Sequence, residues 1–180
     1  MNIWHEIDPA RVKPDCFTAV IEISKGSKVK YELDKETGLL RMDRVLYTST
    51  HYPANYGFIP LTYADDDDPL DVLLLCSEVI APLSLVVCKP IGVIVMEDSG
   101  ALDEKIIAVA IGDPTFNGYD SIYELPRHIT DEMTHFFSVY KQLENKSTAV
   151  ERVRGEDEAK EIVAKCLRQY KEKYGALEQQ

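Results

Sequence analysis

The sequence has few positive charges and no cysteine pattern typical of a metal-binding module. Its 180 residues include 20 lysines and arginines against 31 acids, a net charge of −11. A protein of that charge is poorly suited to bind nucleic-acid phosphates over its surface, so we expect no nucleic-acid partner. The four cysteines are far apart and include no C-x-x-C pair, which predicts free thiols rather than zinc ligands.

A long uninterrupted apolar run is also missing. The most apolar stretch, residues 79–96, is broken by Pro82, Lys89 and Pro90, so no membrane span and no membrane partner are expected. The first ten residues lack the apolar centre of an export signal, which leads us to expect a cytoplasmic protein. With 45% hydrophobic residues, the chain is expected to form one domain over residues 1–180.

Short apolar segments separated by turns occupy the first two-thirds of the chain. We predict strands at residues 17–23, 29–33, 38–46, 71–75, 85–96 and 105–110, with the first two joined as a hairpin. Pro90 predicts a bulge or an edge position within the fifth strand. Several short strands without intervening helices favour a small closed barrel.

Helical spacing of apolar residues begins after residue 118. One helix is predicted near residues 129–145, with Thr130 as its N-cap and two acids in its first turn. A second helix is predicted from residue 156, with Gly175 as its stop. Both helices are expected to pack on the barrel.

Four consecutive aspartates, residues 65–68, precede Pro69 and a further aspartate, Asp71. In an extended segment Asp66 and Asp68 project to one side, and Asp71 can return toward them. Carboxylates so close repel one another and need a neutralising partner. Their hard oxygens suit Mg²⁺, Mn²⁺ or Ca²⁺. A solvated acidic loop remains an alternative for this motif taken alone, whereas an EF-hand is excluded by its missing glycine and distal glutamate.

Further charged residues indicate a metal bound together with an anion. Asp98 and Asp103 flank a predicted hairpin turn, and Lys30 and Glu32 share one face of a strand. Arginine and lysine neutralise phosphate oxygens, while tyrosine hydroxyls add neutral donors. The remaining candidates are Glu22, Arg44, Tyr52, Tyr56, Lys105, Tyr140 and Lys141.

Several motifs together resemble those of the family I soluble inorganic pyrophosphatases of bacterial type. In the order of that family, and between about Phe17 and Glu144, the chain contains KYELDKETG, YPANYGFIP, DDDPLDV, KPIGVIVMEDSGALDEK and HFFSVYKQLE. The resemblance implies a mainly β fold with α, a five-stranded OB-like barrel flanked by two C-terminal helices. It also implies a role in phosphate metabolism, the hydrolysis of inorganic pyrophosphate to two phosphates. The implied cofactor is Mg²⁺, several per site, with Mn²⁺ as a substitute.

The resemblance further implies a role for each candidate residue. Asp68 resembles the base that deprotonates a bridging water, and Asp71 resembles a ligand shared by two metals. The implied metal ligands are Asp66, Asp71, Asp98, Asp103, Glu22 and Glu32. The implied phosphate-binding groups are Lys30, Arg44, Tyr56, Tyr140 and Lys141, supported by Lys105 and Tyr52.

Three features depart from the family pattern. Asp67 stands where glycine is common, and residues 145–155 lack the tryptophan-containing stretch of many bacterial members. Bacterial relatives are commonly hexamers with a histidine pair at an interface; here His135 is present and Val139 replaces its partner. A homo-oligomer, with the hexamer favoured, is nevertheless the implied assembly.

Two other functions remain open from the sequence. The same carboxylates and cations could serve a phosphohydrolase acting on another phosphoanhydride. The barrel could also be a non-catalytic OB-fold binding module, since such barrels bind single-stranded nucleic acids. A net charge of −11 and a cup of carboxylates oppose the second alternative.

Overall fold

The computed structural model describes residues 2–175, which contain both sheets and both helices. Within that range the elements are β1 (Val12–Lys13), β2 (Cys16–Ile23), β3 (Val29–Leu33), β4 (Leu40–Val45), β5 (Asn55–Phe58), β6 (Asp71–Leu75), β7 (Leu85–Asp98), β8 (Ala101–Ala110), α1 (Arg127–Val139), β9 (Thr148–Gly155) and α2 (Glu156–Tyr174). Short 3₁₀ turns lie at Pro9–Arg11, Ile122–Glu124 and Gln142–Glu144.

Five strands close into a ring, which confirms the predicted barrel. Strands β2, β5, β6, β8 and β7 pair in that order, and β7 pairs back onto β2. The β6–β8 pair is parallel, and the other pairs of the ring are antiparallel. Closure removes the free edges that an open sheet would expose.

Alternate side chains of the barrel strands enter two apolar cores. Val72 and Leu74 of β6 join a core that includes residues of α2, whereas Leu73 and Leu75 join a core that includes residues of α1. Burial on both faces explains why these strands read as continuous apolar runs rather than as alternating ones. Both helices therefore cover apolar faces, as predicted.

The predicted hairpin between residues 17–23 and 29–33 is wrong. Strand β3 pairs with β4 in a separate two-stranded sheet, while β2 pairs with β1, β5 and β7. The intervening loop is held elsewhere, because the Gly26 amide donates to the Tyr52 carbonyl and the Tyr52 amide donates to the Ser27 carbonyl, both at 2.9 Å. The chain thus leaves β2 without forming a ladder to β3, and β3 and β4 make a sheet of their own.

Three strands were missing from the sequence prediction: the two-residue β1, β5 and β9. Strand β5 is short, and its sequence NYGF looks like part of a turn, yet all four of its residues are buried. Gly57 permits this, since a Cβ there would lie 1.8 Å from the Val20 carbonyl oxygen of β2. Strand β9 pairs with β7 at the edge of the sheet, and its charged residues concealed its alternation.

The helix boundaries match the prediction only in part. Helix α1 begins at Arg127 with Pro126 at the N-cap, so the predicted Thr130 cap is wrong, and no acid lies in the first turn. Proline has a fixed φ that suits the entry to a helix. Helix α2 ends with Gly175 at the C-cap, which confirms the predicted stop. In strand β7, the pairing with β8 shifts register between Pro90 and Gly92, which confirms the predicted bulge. Among the described residues, no helix combines the length and the apolar character that crossing a bilayer requires.

Candidate active site

A cavity of about 500 Å³ opens between the β3–β4 sheet, the acidic turn and one end of the barrel. All of the predicted site residues except Arg44 line it. They are Glu22, Lys30, Glu32, Tyr52, Tyr56, Asp66, Asp68, Asp71, Asp98, Asp103, Lys105, Tyr140 and Lys141. Side chains from distant parts of the sequence therefore meet at one place.

The acidic run forms a turn rather than the predicted extended segment. The Ala64 amide donates to the Asp68 carbonyl at 2.8 Å, and Asp67 has a positive φ of 68°. Asp66 and Asp68 nevertheless both reach the cavity. Burial, with repulsion from Asp71 and Asp103, raises the pKa of Asp66 to about 6.

The other two aspartates of the run contact α2. The Asp65 carboxylate accepts from Lys165 Nζ at 2.6 Å and from Gln169 Nε2 at 2.9 Å. Lys165 and Gln169 are one helical turn apart, so they hold Asp65 from one face of α2. Asp67 lies 3.8 Å from Lys173 Nζ. The turn is thus anchored to the helix through its odd-numbered acids.

Lys105 lies at the centre of the cavity floor. Its Nζ is 2.7 Å from Asp71 Oδ2, 3.0 Å from Asp103 Oδ2 and 2.9 Å from the Tyr56 hydroxyl. Asp71 and Lys105 are paired residues of the parallel β6–β8 ladder, and Asp103 shares the face of Lys105 through the period of two. The sequence suggested only a supporting role for Lys105, because one lysine in an apolar strand gives no sign of its neighbours.

The charges around Lys105 do not balance. Although burial opposes its charged form, Asp103 and Asp71 raise the pKa of Lys105 well above its usual value. Burial also raises the pKa of Asp103, against the lowering effect of Lys105. Glu22 is buried, and burial raises its pKa to about 8 although it accepts the Leu33 amide at 2.7 Å. Asp71 and Asp103 thus share one ammonium, and the cavity holds more carboxyl groups than cations.

Two further carboxylates are paired with lysines at the cavity wall. Lys141 follows α1 and bonds to Asp98 near the β7–β8 turn. Although burial acts to raise it, the pKa of Asp98 is lowered by Lys141. Lys30 Nζ is 2.5 Å from Glu32 Oε1, as their shared strand face predicts. These lysines are placed to exchange a carboxylate partner for an anion.

Arg44 is near the cavity but does not line it. It lies in β4, directly opposite Lys30 in β3, so the two cations are cross-strand neighbours. Its guanidinium contacts Asp43, and its Nε is 2.9 Å from Glu144 Oε1. The Glu144 carboxylate, only 6% exposed, comes from the 3₁₀ turn after α1. The pattern of the sequence did not indicate this partner.

Three tyrosines supply neutral donors to the same space. Tyr52, Tyr56 and Tyr140 are all buried, and the Tyr56 ring is 5.3 Å from that of Tyr52. Burial raises the pKa of each phenol, so the hydroxyls stay protonated at neutral pH. Protonated hydroxyls can donate to an anion without adding charge.

The donor set fits a hard divalent cation. Within residues 2–175 no three acidic, histidine or cysteine side chains already stand in a coordination arrangement. The oxygen ligands and the excess negative charge nevertheless have the chemistry that Mg²⁺ requires. Burial and repulsion between neighbouring acids raise the pKa values of Asp66 and Glu22, and a bound cation would offset both effects.

Comparisons with known proteins agree with this geometry. The family model described as inorganic pyrophosphatase matches residues 19–171. The chain belongs to the inorganic pyrophosphatase family. It is 47% identical over 171 residues to soluble inorganic pyrophosphatase 2 of Chlamydomonas reinhardtii, covering 95% of this chain and 89% of that protein.

Solved structures of inorganic pyrophosphatases have the same fold. The structure from Thermus thermophilus superposes with a TM-score of 0.89 at 36% identity, covering 95% of this chain and 99% of that chain. The structure from Helicobacter pylori gives a TM-score of 0.88 at 41% identity, covering 92% and 99%. The fold of the barrel and its helices is therefore that of inorganic pyrophosphatases.

The backbone conformation of Asp67 explains why aspartate can stand where glycine is common in the pyrophosphatase family. Residues with positive φ are favoured by glycine and, among side chains, by aspartate and asparagine. The φ of 68° at Asp67 explains why glycine suits this position and why aspartate can replace it. Sequence reasoning missed Lys35, Arg41 and Glu36 of the cavity, since charged residues around a turn look like ordinary solvated ones.

Proposed function

We propose that this chain hydrolyses inorganic pyrophosphate to two phosphates, with Mg²⁺ as cofactor and Mn²⁺ as a substitute. One observation carries the proposal. Carboxylates in excess, lysines and protonated tyrosines line one cavity in a chain of the inorganic pyrophosphatase family. A metal alone would need no lysines, and an anion alone would be repelled by the carboxylates.

We propose a division of roles among these side chains. Asp66, Asp71, Asp98, Asp103, Glu22 and Glu32 hold the metal ions. When bound, Mg²⁺ supplies charge neutralisation of the phosphoryl oxygens and a more acidic water. Asp68 takes the proton of the attacking water, since its carboxylate is half-exposed at the cavity and can reach solvent.

The cations and hydroxyls bind the phosphoryl groups in this proposal. Lys30, Lys141 and Arg44 are held near the cavity by Glu32, Asp98 and Glu144, and an anion can replace a carboxylate as their partner. Tyr56 and Tyr140 donate hydrogen bonds, supported by Tyr52. Lys105 keeps Asp71 and Asp103 at a fixed separation, which positions their outer oxygens.

Phosphate release from pyrophosphate tests this function. Purified protein with Mg²⁺ should release phosphate, Mn²⁺ should partly replace Mg²⁺, and exhaustive chelation should stop the reaction. A parallel panel of nucleoside triphosphates and polyphosphate tests the alternative phosphoanhydride hydrolase. Faster release from a panel member than from pyrophosphate would favour that alternative, and a salt-sensitive gel shift without hydrolysis would favour the binding module.

We also propose that the chain is a single-domain enzyme of the compact bacterial type. Its match to 99% of the Thermus thermophilus and Helicobacter pylori chains supports this, because little of those proteins lies outside the match.

We propose a homo-oligomer, hexamer favoured, in which the exposed His135 of α1 lies at an interface. Light scattering would test the mass of the assembly. The described cysteines are free, which supports a cytoplasmic location.

A further inference from the structure

Lys35 stands apart from the other lysines of the cavity. It lies in the turn between β3 and β4, and its Nζ contacts Asp68 Oδ1 across the mouth of the cavity. Lys30, Lys105 and Lys141 contact carboxylates that we assign to metal binding. Lys35 instead contacts the proposed base.

The turn that carries Lys35 is held firmly. The Asp34 carboxylate accepts the Thr37 amide at 2.8 Å, the Gly38 amide donates to the Asp34 carbonyl at 2.8 Å, and Gly38 has a positive φ of 72°. A side-chain amide from the N-terminal segment, Asn2 Nδ2, donates to the Lys35 carbonyl at 2.8 Å. The backbone of Lys35 is therefore fixed, while its side chain is 49% exposed and can turn.

The single tryptophan of the chain connects this turn to the acidic turn. Lys35 Nζ is 4.9 Å from the centroid of the Trp4 ring, a cation–π distance. Trp4 is 3% exposed, and its Nε1 donates to the Thr62 carbonyl at 2.8 Å, just before the acidic turn. The buried indole thus lies beside the ammonium at the cavity mouth, where the ammonium also contacts Asp68.

We propose that Lys35 is a further substrate-binding residue, which exchanges Asp68 for a terminal phosphoryl oxygen of pyrophosphate. This inference rests on the proposed function. An exposed ion pair contributes little to stability, so fold stability alone does not account for a tethered lysine at this place. A multiply charged phosphoryl group is a stronger partner than one carboxylate. The exchange frees Asp68 to accept a proton when substrate is present.

Steady-state kinetics of Lys35→Ala at saturating Mg²⁺ test the proposal. The KM for pyrophosphate should rise about tenfold with kcat within about twofold, the loss of one charge-assisted contact at a partly exposed site. Lys35→Arg should restore KM to within about threefold. Lys13→Ala, which removes an exposed lysine of β1 outside the cavity, is the matched control and should change neither constant.

Tryptophan fluorescence gives a second readout that a merely structural role would not move. Binding of imidodiphosphate, a non-hydrolysable analogue, should shift the emission of Trp4 in the unmodified protein, because the ammonium leaves the indole. Lys35→Ala should bind the analogue, as measured by inhibition, without that shift. Lys35→Gln serves in its place if the alanine variant does not fold.

The outcomes separate this inference from the proposed function. Absence of pyrophosphate hydrolysis by the unmodified protein would overturn the proposed function, and this role of Lys35 with it. Normal hydrolysis combined with an unchanged KM in Lys35→Ala would overturn the role of Lys35 alone. So would a fall in kcat at constant KM, or an emission shift that is identical in the two proteins.

Discussion

Neighbouring aspartates of one turn have opposite environments. Asp65 is held by Lys165, and this hydrogen bond lowers the pKa of its carboxyl. The next residue, Asp66, faces the cavity, where burial and the negative charges of Asp71 and Asp103 raise its pKa to about 6. The difference arises because the turn directs successive side chains to opposite sides.

One run of aspartates thus contains residues that anchor the turn to α2 and residues that face the cavity. The odd-numbered acids contact cations of α2, Asp65 closely and Asp67 weakly. The even-numbered acids face the cavity, where Asp68 contacts Lys35 and Asp66 keeps charge that the protein does not fully compensate. In a run of like charges, the contacts of each residue must therefore be known before a function is assigned to it. Substitutions on the two sides of the turn should have very different effects.

The largest expected effect is that of Asp71→Asn. This change removes charge from a proposed shared ligand and also weakens the 2.7 Å contact to the buried Lys105. Turnover should fall by about 10³-fold, and Mg²⁺ affinity, measured by titration calorimetry, should fall with it. Asp65→Asn, the matched change on the anchoring side, should keep turnover within about twofold. Similar losses of turnover in both variants would show that the anchoring and cavity sides of the turn do not differ in function.

A smaller but more specific loss is expected for Asp68→Asn. Removing a proton acceptor should lower turnover by about 10²-fold or more and change its pH profile. Mg²⁺ affinity should stay near that of the unmodified protein, because Asp68 is proposed as a base and not as a ligand. An equal fall in Mg²⁺ affinity would show that Asp68 is another ligand.

Metal binding should also be visible in thermal stability. Mg²⁺ at about 100 times its Kd should stabilise the folded protein by ~2.7 kcal/mol, a rise of about 5 to 11 °C in Tm. Ionic strength is held constant with monovalent salt. Asp71→Asn should lose most of the gain, whereas Lys141→Ala, which removes a proposed phosphate contact, should keep it. A Tm indifferent to millimolar Mg²⁺ would favour the solvated-loop alternative.

The pH dependence of that gain follows from the raised carboxyl pKa values. Without metal, a carboxyl whose pKa is higher in the folded state stabilises the fold at low pH and loses that contribution as pH rises through the folded-state value. For Asp66 this value is about 6. The Mg²⁺ gain should therefore be largest above pH 6 and shrink as protons compete below it. Melting curves across pH 5 to 8 with and without Mg²⁺ measure the difference.

The sequence predicted the barrel and most of the cavity because both depend on local signals. Apolar runs between turns marked most of the ring, and charged residues interrupting those runs marked the site. Strand β5 was missed because four residues containing glycine give too little periodicity. The β3–β4 pairing was missed because partner choice depends on long-range contacts.

The sequence also did not predict which charged side chains contact one another. Placement of Lys105 between Asp71 and Asp103 follows from the parallel register of β6 and β8, which no local pattern reveals. The Arg44–Glu144 contact joins β4 to a turn about 100 residues later, so spacing gave no signal. Residue types at the site could be predicted, but their pairing required the fold.

The smallest effect is expected for Asp67→Gly, on the anchoring side of the turn. Two changes oppose each other there. Glycine adopts the φ of 68° without steric strain, which favours the folded turn, but it also adds freedom to the unfolded chain. The substitution also removes a hydrogen bond from the Tyr63 hydroxyl and a 3.8 Å contact to Lys173, but the Asp67 side chain is 84% exposed, so water leaves both weak. Activity should stay within about twofold and Tm within about 2 °C.

Phosphate release and melting curves, run beside the unmodified protein and Asp65→Asn, measure these small differences. Because Asp67 points away from the cavity, Mg²⁺ affinity should also be unchanged in Asp67→Gly. A nearly inactive Asp67→Gly would mean that the side of the turn assigned to anchoring carries chemistry. The assignment of anchoring to the odd-numbered aspartates and of chemistry to the even-numbered ones would then be wrong.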